Sequence, residues 1–312
     1  MKTQIYLAAP RGFCGGVSRA VNAVEKLQEK EKENIYVYHE IVHNRYIIEN
    51  FQNKGINFIN SLSQLPENAK SIIFSAHGVT PEIINQAKNL NLKIIDATCP
   101  LVDLVHKRIK ALSEKGYTIL LIGHIGHDEV VGSMGWFTPK IDYNNQKIII
   151  VDSIETAKNI KLENSEKIAW VSQTTLSVDD TSEIVGILKK KFPNIREPKS
   201  SFICYATQNR QAAVKELINK VSSMIVIGSK NSSNTSRLYE IAVKKVPTYQ
   251  IEDARELEEY MITEKTGITA GASVPKLLVD SVLDKISQIS TVTKIIEQNS
   301  ASEELKFKPV QL

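Results

Sequence analysis

Residues 12–40 read GFCGGVSRAVNAVEKLQEKEKENIYVYHE: a cysteine, an amphipathic run at helical period over residues 17–30, and a short apolar run over residues 35–38. The same order returns twice. After Cys99 come a helical pattern over residues 102–115 and an apolar run over residues 119–122. After Cys204 come residues 211–221 and 224–227. The spacing holds as well, since Tyr38, Gly123 and Gly228 each lie 24 residues beyond their cysteine, at the end of the apolar run. Three occurrences of one cysteine, helix, strand unit define an internal repeat rather than three unrelated cysteines.

Further along each repeat a second apolar run enters a small polar turn: SIIFSAHGVTPEII from residue 71, KIAWVSQTTLSVDD from 167 and GITAGASVPKLL from 267. Helical patterns follow, and Pro81 and Pro275 suit the first helical position, where the missing N–H costs nothing. Strands that alternate with helices throughout imply parallel sheets, and ligands of open α/β folds bind beyond the carboxyl ends of such strands. The expected fold is therefore α/β, with three similar parallel-sheet units in a pseudo-threefold arrangement around a central site to which each unit brings its cysteine. The expected units are residues 1–98 with Cys14, 99–196 with Cys99 and 197–290 with Cys204, followed by a C-terminal tail, 291–312.

At 312 residues the chain can bury more than one core, and 42% hydrophobic with 24% charged residues is ordinary for a globular protein. The formal charge is only +4, with lysines interleaved among glutamates, which argues against a nucleic-acid footprint. No apolar stretch reaches the ~18 residues of a membrane span, and the N-terminus lacks a signal-peptide core. The expectation is a cytoplasmic protein with no nucleic-acid or membrane partner.

An odd number of cysteines without a secretory signal does not suit a disulfide framework. Three thiolates suit a soft or borderline metal, either zinc or an iron-sulfur cluster. With only three ligands, one metal position stays open for water or substrate, as a catalytic centre requires. None lies in C-x-x-C, so the ligands come from separate parts of the chain.

The polar turns carry the remaining candidates. GSKNSSNTS, residues 228–236, places Ser232, Ser233 and Asn234 just before an expected helix over residues 237–245, an arrangement that suits an anion although such loops also serve as plain caps. His43 and His77 occupy turns of the first unit and Ser273 that of the third, all able to contact phosphate oxygens. In GHIGHDEVVGSMG, residues 123–135, His127 and Glu129 lie two apart in what reads as an extended turn, so they should point the same way, as a proton relay needs. Thr174 offers a hydroxyl to pass a proton or hold a substrate oxygen. His39 and His106 lack matching context and read as structural. One competing motif is HEIVH, residues 39–43, which matches H-E-x-x-H; His39 directly follows an expected strand rather than lying in a helix, which argues against a zinc peptidase.

Nine segments, GFCGGVSRAV, HEIVHNRY, FSAHGV, DATCPLV, GHIGHDEVVGSMG, VSQTTLSVDDT, ICYATQNRQ, GSKNSSNTSRL and TAGAS, resemble in order the signatures of the LytB/IspH family of 4-hydroxy-3-methylbut-2-enyl diphosphate reductases. Gly15 stands where the family commonly has alanine. The resemblance implies reductive removal of an allylic hydroxyl, giving isopentenyl and dimethylallyl diphosphates, as the last step of the methylerythritol phosphate route. It implies a 4Fe-4S cluster on Cys14, Cys99 and Cys204 with one open iron. It further implies diphosphate contacts at His43, His77, His127, Ser232, Ser233, Asn234 and Ser273, proton donation by Glu129 with Thr174 and His127, and a monomer fed by an electron donor such as ferredoxin or flavodoxin. A zinc phosphohydrolase and a non-enzymatic electron carrier remain the alternatives from the residues alone.

Overall fold

The computed structural model describes residues 1–31, 35–139, 146–162, 167–198, 203–303 and 305–312. Along the chain run β1 (Lys2–Ala9), α1 (Gly15–Lys30), β2 (Tyr36–Tyr38), α2 (Arg45–Asn53), β3 (Asn57–Ile59), β4 (Ser71–Phe74), α3 (Pro81–Asn89) and β5 (Lys93–Asp96). Next come α4 (Pro100–Ser113), β6 (Thr118–Ile122), α5 (Asp128–Met134), β7 (Ile148–Val151), α6 (Ile154–Asn159), β8 (Ile168–Ser172) and α7 (Val178–Lys191). The last part holds α8 (Tyr205–Leu217), β9 (Ser223–Ile227), α9 (Ser233–Val243), β10 (Thr248–Ile251), β11 (Lys265–Ala270), α10 (Lys276–Ile289) and β12 (Thr291–Asn299).

These strands form three sheets, all parallel, as the strand and helix alternation requires. Their orders are β10-β9-β11-β1-β12, β3-β2-β4-β5 and β7-β6-β8. By contacts the chain divides into two compact units. One comprises residues 1–18, 43–49 and 205–306 and contains the five-stranded sheet. The other comprises 19–42, 50–204 and 307–312 and contains the four- and three-stranded sheets.

Strand periodicity explains the layering. In β9, Ile225 and Ile227 pack with Val279, Val282 and Ile286 of α10, while Met224 and Val226 pack on the opposite face with Val214 and Leu217 of α8 and Leu238 of α9. In β6, Ile119 and Leu121 meet Val105, Ile109 and Leu112 of α4, whereas Leu120 and Ile122 meet Ile184 and Leu188 of α7. A parallel strand covered on both faces needs apolar residues at every position, which is why MIVI and ILLI lack polar alternation. Burying each such side chain contributes about 1.5–3 kcal/mol.

Two local features depart from the sequence expectation. The helix after the Ser/Asn loop starts at Ser233, four residues before the expected position, because Ser232 serves as its N-cap and accepts a hydrogen bond from the Thr235 amide (3.4 Å). Pro275 is the residue before α10 rather than its first, whereas Pro81 does open α3, behind a Thr80 cap that accepts from the Ile83 amide (3.3 Å). From Thr291 the chain also continues as β12, which pairs with β1 from Lys2 to Ala9.

Candidate active site

Each sheet has a reversal of strand order beside its second strand, and a ligand crevice in an open α/β sheet forms where that happens, beyond the strand carboxyl ends. The reversal falls between β2 and β4, between β6 and β8, and between β9 and β11. The residues that follow these six strands include the candidates other than the cysteines: His43 and His77, along with His39, in the first case, His127, Glu129 and Thr174 in the second, and Ser232, Ser233, Asn234 and Ser273 in the third.

The cysteines dock on the same turns. The Cys99 amide donates to Ala76 O (3.0 Å) after β4, the Cys204 amide to Thr174 O (3.0 Å) after β8, and the Cys14 amide to Ala272 O (3.1 Å) after β11. Each cysteine therefore sits on the sheet that precedes it, cyclically in the case of Cys14, and the helix it introduces leads to a strand of another sheet. Cys14 directly precedes α1, Cys99 is the cap of α4, and Cys204 directly precedes α8. A helix N-terminus favours the thiolate, and the Val17 amide approaches Cys14 Sγ at 3.5 Å. None of the three forms a disulfide, and all are of intermediate exposure. Three thiols outside any disulfide, each at the start of a helix, are a donor set that fits a thiolate-held metal cluster.

Gly12 shows why the approach to Cys14 needs glycine. Its φ is +69°, its amide donates to Ala270 O (3.2 Å), and a Cβ would come within 2.9 Å of Val274 O. Gly78, beside His77, has φ +77°, and a Cβ there would sit 2.5 Å from His106 Cε1.

In the unit with the three- and four-stranded sheets, Glu129 is buried and takes two hydrogen bonds from one residue: the Thr174 amide donates to Oε1 (2.6 Å) and the Thr174 hydroxyl to Oε2 (2.8 Å). His127 and Glu129 are not side by side in an extended turn. His127 caps α5, and its Nδ1 accepts from the Glu129 amide (3.1 Å), so capping rather than strand alternation places Glu129 in the first turn of that helix. With Nδ1 accepting, the neutral ring carries its proton on Nε2, where it can face an anion. The His127 ring meets that of His77 edge-on, with centroids 5.9 Å apart.

His39, read from sequence as structural, belongs to this group. Its Nδ1 lies 2.9 Å from Asp128 Oδ1, and His77 Nδ1 lies 4.0 Å from Asp128 Oδ2. The hydrogen bond to Asp128 raises the His39 pKa above its ordinary 6.5, against the opposing effect of burial. His39 also adopts φ +58°, which turns the chain sharply off β2 and places HEIVH outside any helix. The sequence signal was present in an acidic residue directly before Glu129, but the pairing partner is 89 residues away. His106 does prove structural: it is buried, stacks on Trp136 at 5.3 Å, and is driven down to a pKa of about 4 by burial.

In the other unit, Asn234 Oδ1 accepts from the Ala272 amide (2.8 Å), tying the turn after β9 to the one after β11. The Ser273 hydroxyl donates to His43 O (2.9 Å), which brings His43 beside that turn. Ser232, Asn234 and Ser273 are all buried, as residues of a solvated loop would not be.

Parallel sheets whose strand ends lead into histidines, a buried carboxylate, helix N-termini and cysteines belong to an α/β protein whose groups suit an anionic substrate and a soft metal. The LytB protein family matches residues 5–287, and the chain belongs to it. The family is one of iron-sulfur enzymes. The chain is similar to the 4-hydroxy-3-methylbut-2-enyl diphosphate reductases of Pseudoalteromonas translucida, at 42% identity over 99% of both chains, and of Corynebacterium glutamicum, at 44% over 97% of this chain and 93% of the relative. The solved structure of the E-1-hydroxy-2-methyl-but-2-enyl-4-diphosphate reductase from Plasmodium falciparum matches with a TM-score of 0.90 and 33% identity, covering 99% of this chain and 96% of that one. No helix among the described residues is long and apolar enough to cross a membrane.

Proposed function

We propose that the chain reduces 4-hydroxy-3-methylbut-2-enyl diphosphate to isopentenyl and dimethylallyl diphosphates, with Cys14, Cys99 and Cys204 as ligands of a 4Fe-4S cluster. When bound, the cluster supplies two electrons, one at a time, and an open Lewis-acidic iron for the substrate hydroxyl. The protein supplies the rest. Glu129 holds the proton that lets the hydroxyl leave as water, and the Thr174 hydroxyl, free to rotate, can donate to the carboxylate or accept from the acid. Both Glu129 oxygens are anchored to one residue, so the carboxyl is oriented before substrate arrives.

His127, fixed through Nδ1, presents Nε2–H to the substrate. The diphosphate falls to His43, His77 and His127 together with Ser232, Ser233, Asn234 and Ser273. Ser232 caps α9 and Ser233 opens it, and a helix N-terminus favours negative charge. A phosphate oxygen would compete with His43 O for the Ser273 hydroxyl. Binding by histidines and N–H groups rather than by arginines leaves the diphosphate protonation state adjustable, which suits it as the source of the last proton. Electrons come from a small one-electron carrier such as ferredoxin or flavodoxin, and the enzyme works as a cytoplasmic monomer.

The observation that carries the reading is the buried Glu129–Thr174 pair at a sheet reversal point in a chain of this family. The test is anaerobic reconstitution with iron and sulfide, then incubation with the diphosphate and a reduced one-electron dye. Water loss with both isopentenyl products supports the reading. Release of inorganic phosphate from a protein that holds zinc instead would replace it with a phosphohydrolase.

A further inference from the structure

Arg210, in α8, is completely buried, and the groups around its guanidinium belong to three separate parts of the chain. Nε and Nη2 donate to Gly12 O (3.2 and 2.7 Å), Nη2 reaches Phe13 O (3.5 Å), and Nη1 donates to Ala206 O (2.9 Å) on its own helix. The remaining acceptor is Glu303, from the C-terminal segment, whose carboxylate takes Nη1 at 2.7 Å and Nη2 at 3.2 Å in a forked pair. Carbonyl oxygens alone neutralise no charge, and among the described partners Glu303 is the one carboxylate on this cation. Residues 300–303 are brought there by β12, after which the Ser300 amide donates to Ala9 O (2.9 Å).

We propose that Glu303 and Arg210 are positioning residues for the cluster ligand Cys14. The tail carboxylate fixes the guanidinium, and the guanidinium fixes the Gly12 and Phe13 carbonyls directly ahead of Cys14. Arg210 also sits six residues after Cys204 on the helix that this cysteine introduces, so one side chain ties together the segments that carry two of the three thiols. A backbone held at two consecutive carbonyls cannot swing its next residue freely. Loss of the tail contact leaves a buried cation with carbonyl partners only, and relaxing that arrangement moves the Gly12–Cys14 turn. Glu303 lies beyond the residues matched by the family, 5–287, and in a segment whose sequence alone suggests only a polar tail. The proposal rests on Cys14 being a cluster ligand.

The experiment compares wild type with Glu303→Ala and Glu303→Asp. In cluster-free protein, alkylation of each cysteine is followed by mass spectrometry. In anaerobically reconstituted protein, loss of the visible cluster absorbance to an iron chelator is timed. Glu303→Ala should speed alkylation of Cys14 by roughly tenfold with Cys99 nearly unchanged, and speed iron loss by a similar factor, as expected for losing one charged hydrogen-bonded pair. Glu303→Asp should restore most of both. Equal acceleration at Cys14 and Cys99 would show general destabilisation, and no acceleration at Cys14 would show that the clamp does not hold the turn. Either result overturns the proposal. Cys14→Ser separates the two readings: if it retains full iron, the cluster assignment fails even where the alkylation result stands.

Discussion

Thr174 makes two hydrogen bonds to the same carboxylate, from its amide to Glu129 Oε1 at 2.6 Å and from its hydroxyl to Glu129 Oε2 at 2.8 Å. The two bonds can be separated by mutation. Thr174→Val removes the hydroxyl and keeps the amide, so Glu129 stays near its place but loses the partner able to switch between donor and acceptor. A buried bond to a charged group contributes about 1.5–3 kcal/mol. Turnover should fall by at least about tenfold, with substrate affinity changed much less. Thr174→Ser, which keeps the hydroxyl, should recover most of the rate. A loss in the Ser variant with a near-normal Val variant, measured by steady-state kinetics, would show that the methyl packing rather than the hydroxyl matters.

Glu129→Gln keeps the shape of this group and can keep one acceptor for Thr174, but it supplies no acidic proton. The variant should retain its cluster spectrum and bind the diphosphate, while turnover drops by about a hundredfold or more, the usual scale for a lost general acid. Near-normal single-turnover rates would remove Glu129 from proton delivery.

The repeat that the cysteine spacing reveals is real in the fold, because local helix and strand patterns carry it. What the spacing does not reveal is which sheet each cysteine serves. Cys14 opens the first repeat in sequence, yet its amide is held by Ala272, and β1 just before it pairs with β11 and β12. Such long-range pairing has no local signature. The same limit hid His39 with Asp128 and Arg210 with Glu303, in which a charged residue that looks like ordinary surface charge finds its partner far along the chain. Helix starts failed for a different reason: His127 was legible as a functional group, which obscured its second role as a cap, and the Ser/Asn loop was legible as a possible cap but not which of its residues ends it.

Asn234 combines two roles that one substitution can divide. Its Oδ1 accepts from the Ala272 amide, whose carbonyl in turn receives the Cys14 amide. Asn234→Ala should therefore weaken diphosphate binding and also loosen the turn beside Cys14. Asn234→Asp keeps an oxygen for Ala272 but replaces the amide donor with negative charge. It should keep a normal cluster spectrum and bind the diphosphate at least about tenfold more weakly, as calorimetry on the anaerobic protein would show. Unchanged affinity in the Asp variant would mean that Asn234 only holds the turn.

His39 and Asp128 give a pH dependence of known sign. Asp128 raises the folded pKa of His39, so the stabilising pair is complete below about pH 6.5 and is lost as pH rises through the raised value. Asp128→Asn should bring the His39 titration down toward 6.5 or below it, followed by the ring proton resonances of the protein in NMR. If the His39 titration does not move, the contact has no electrostatic consequence in solution.

His106 acts in the opposite sense. Burial lowers its pKa from 6.5 to about 4, so the folded chain resists a proton that the unfolded chain accepts. Above pH 6.5 both states are neutral and the residue has no effect on pH dependence. As pH falls from 6.5 toward 4, stability is lost at up to about 1.4 kcal/mol per pH unit, on the order of 3 kcal/mol in all. His106→Gln removes the titration while keeping a polar group of similar length beside Trp136. Urea denaturation of the two anaerobic proteins across this range should give curves whose difference narrows steadily with acid, because wild type alone carries this penalty. Carboxylates titrate in both proteins and cancel in the difference. A constant difference from pH 6.5 to 4 would mean that the buried ring takes up its proton in the folded state as readily as in the unfolded one.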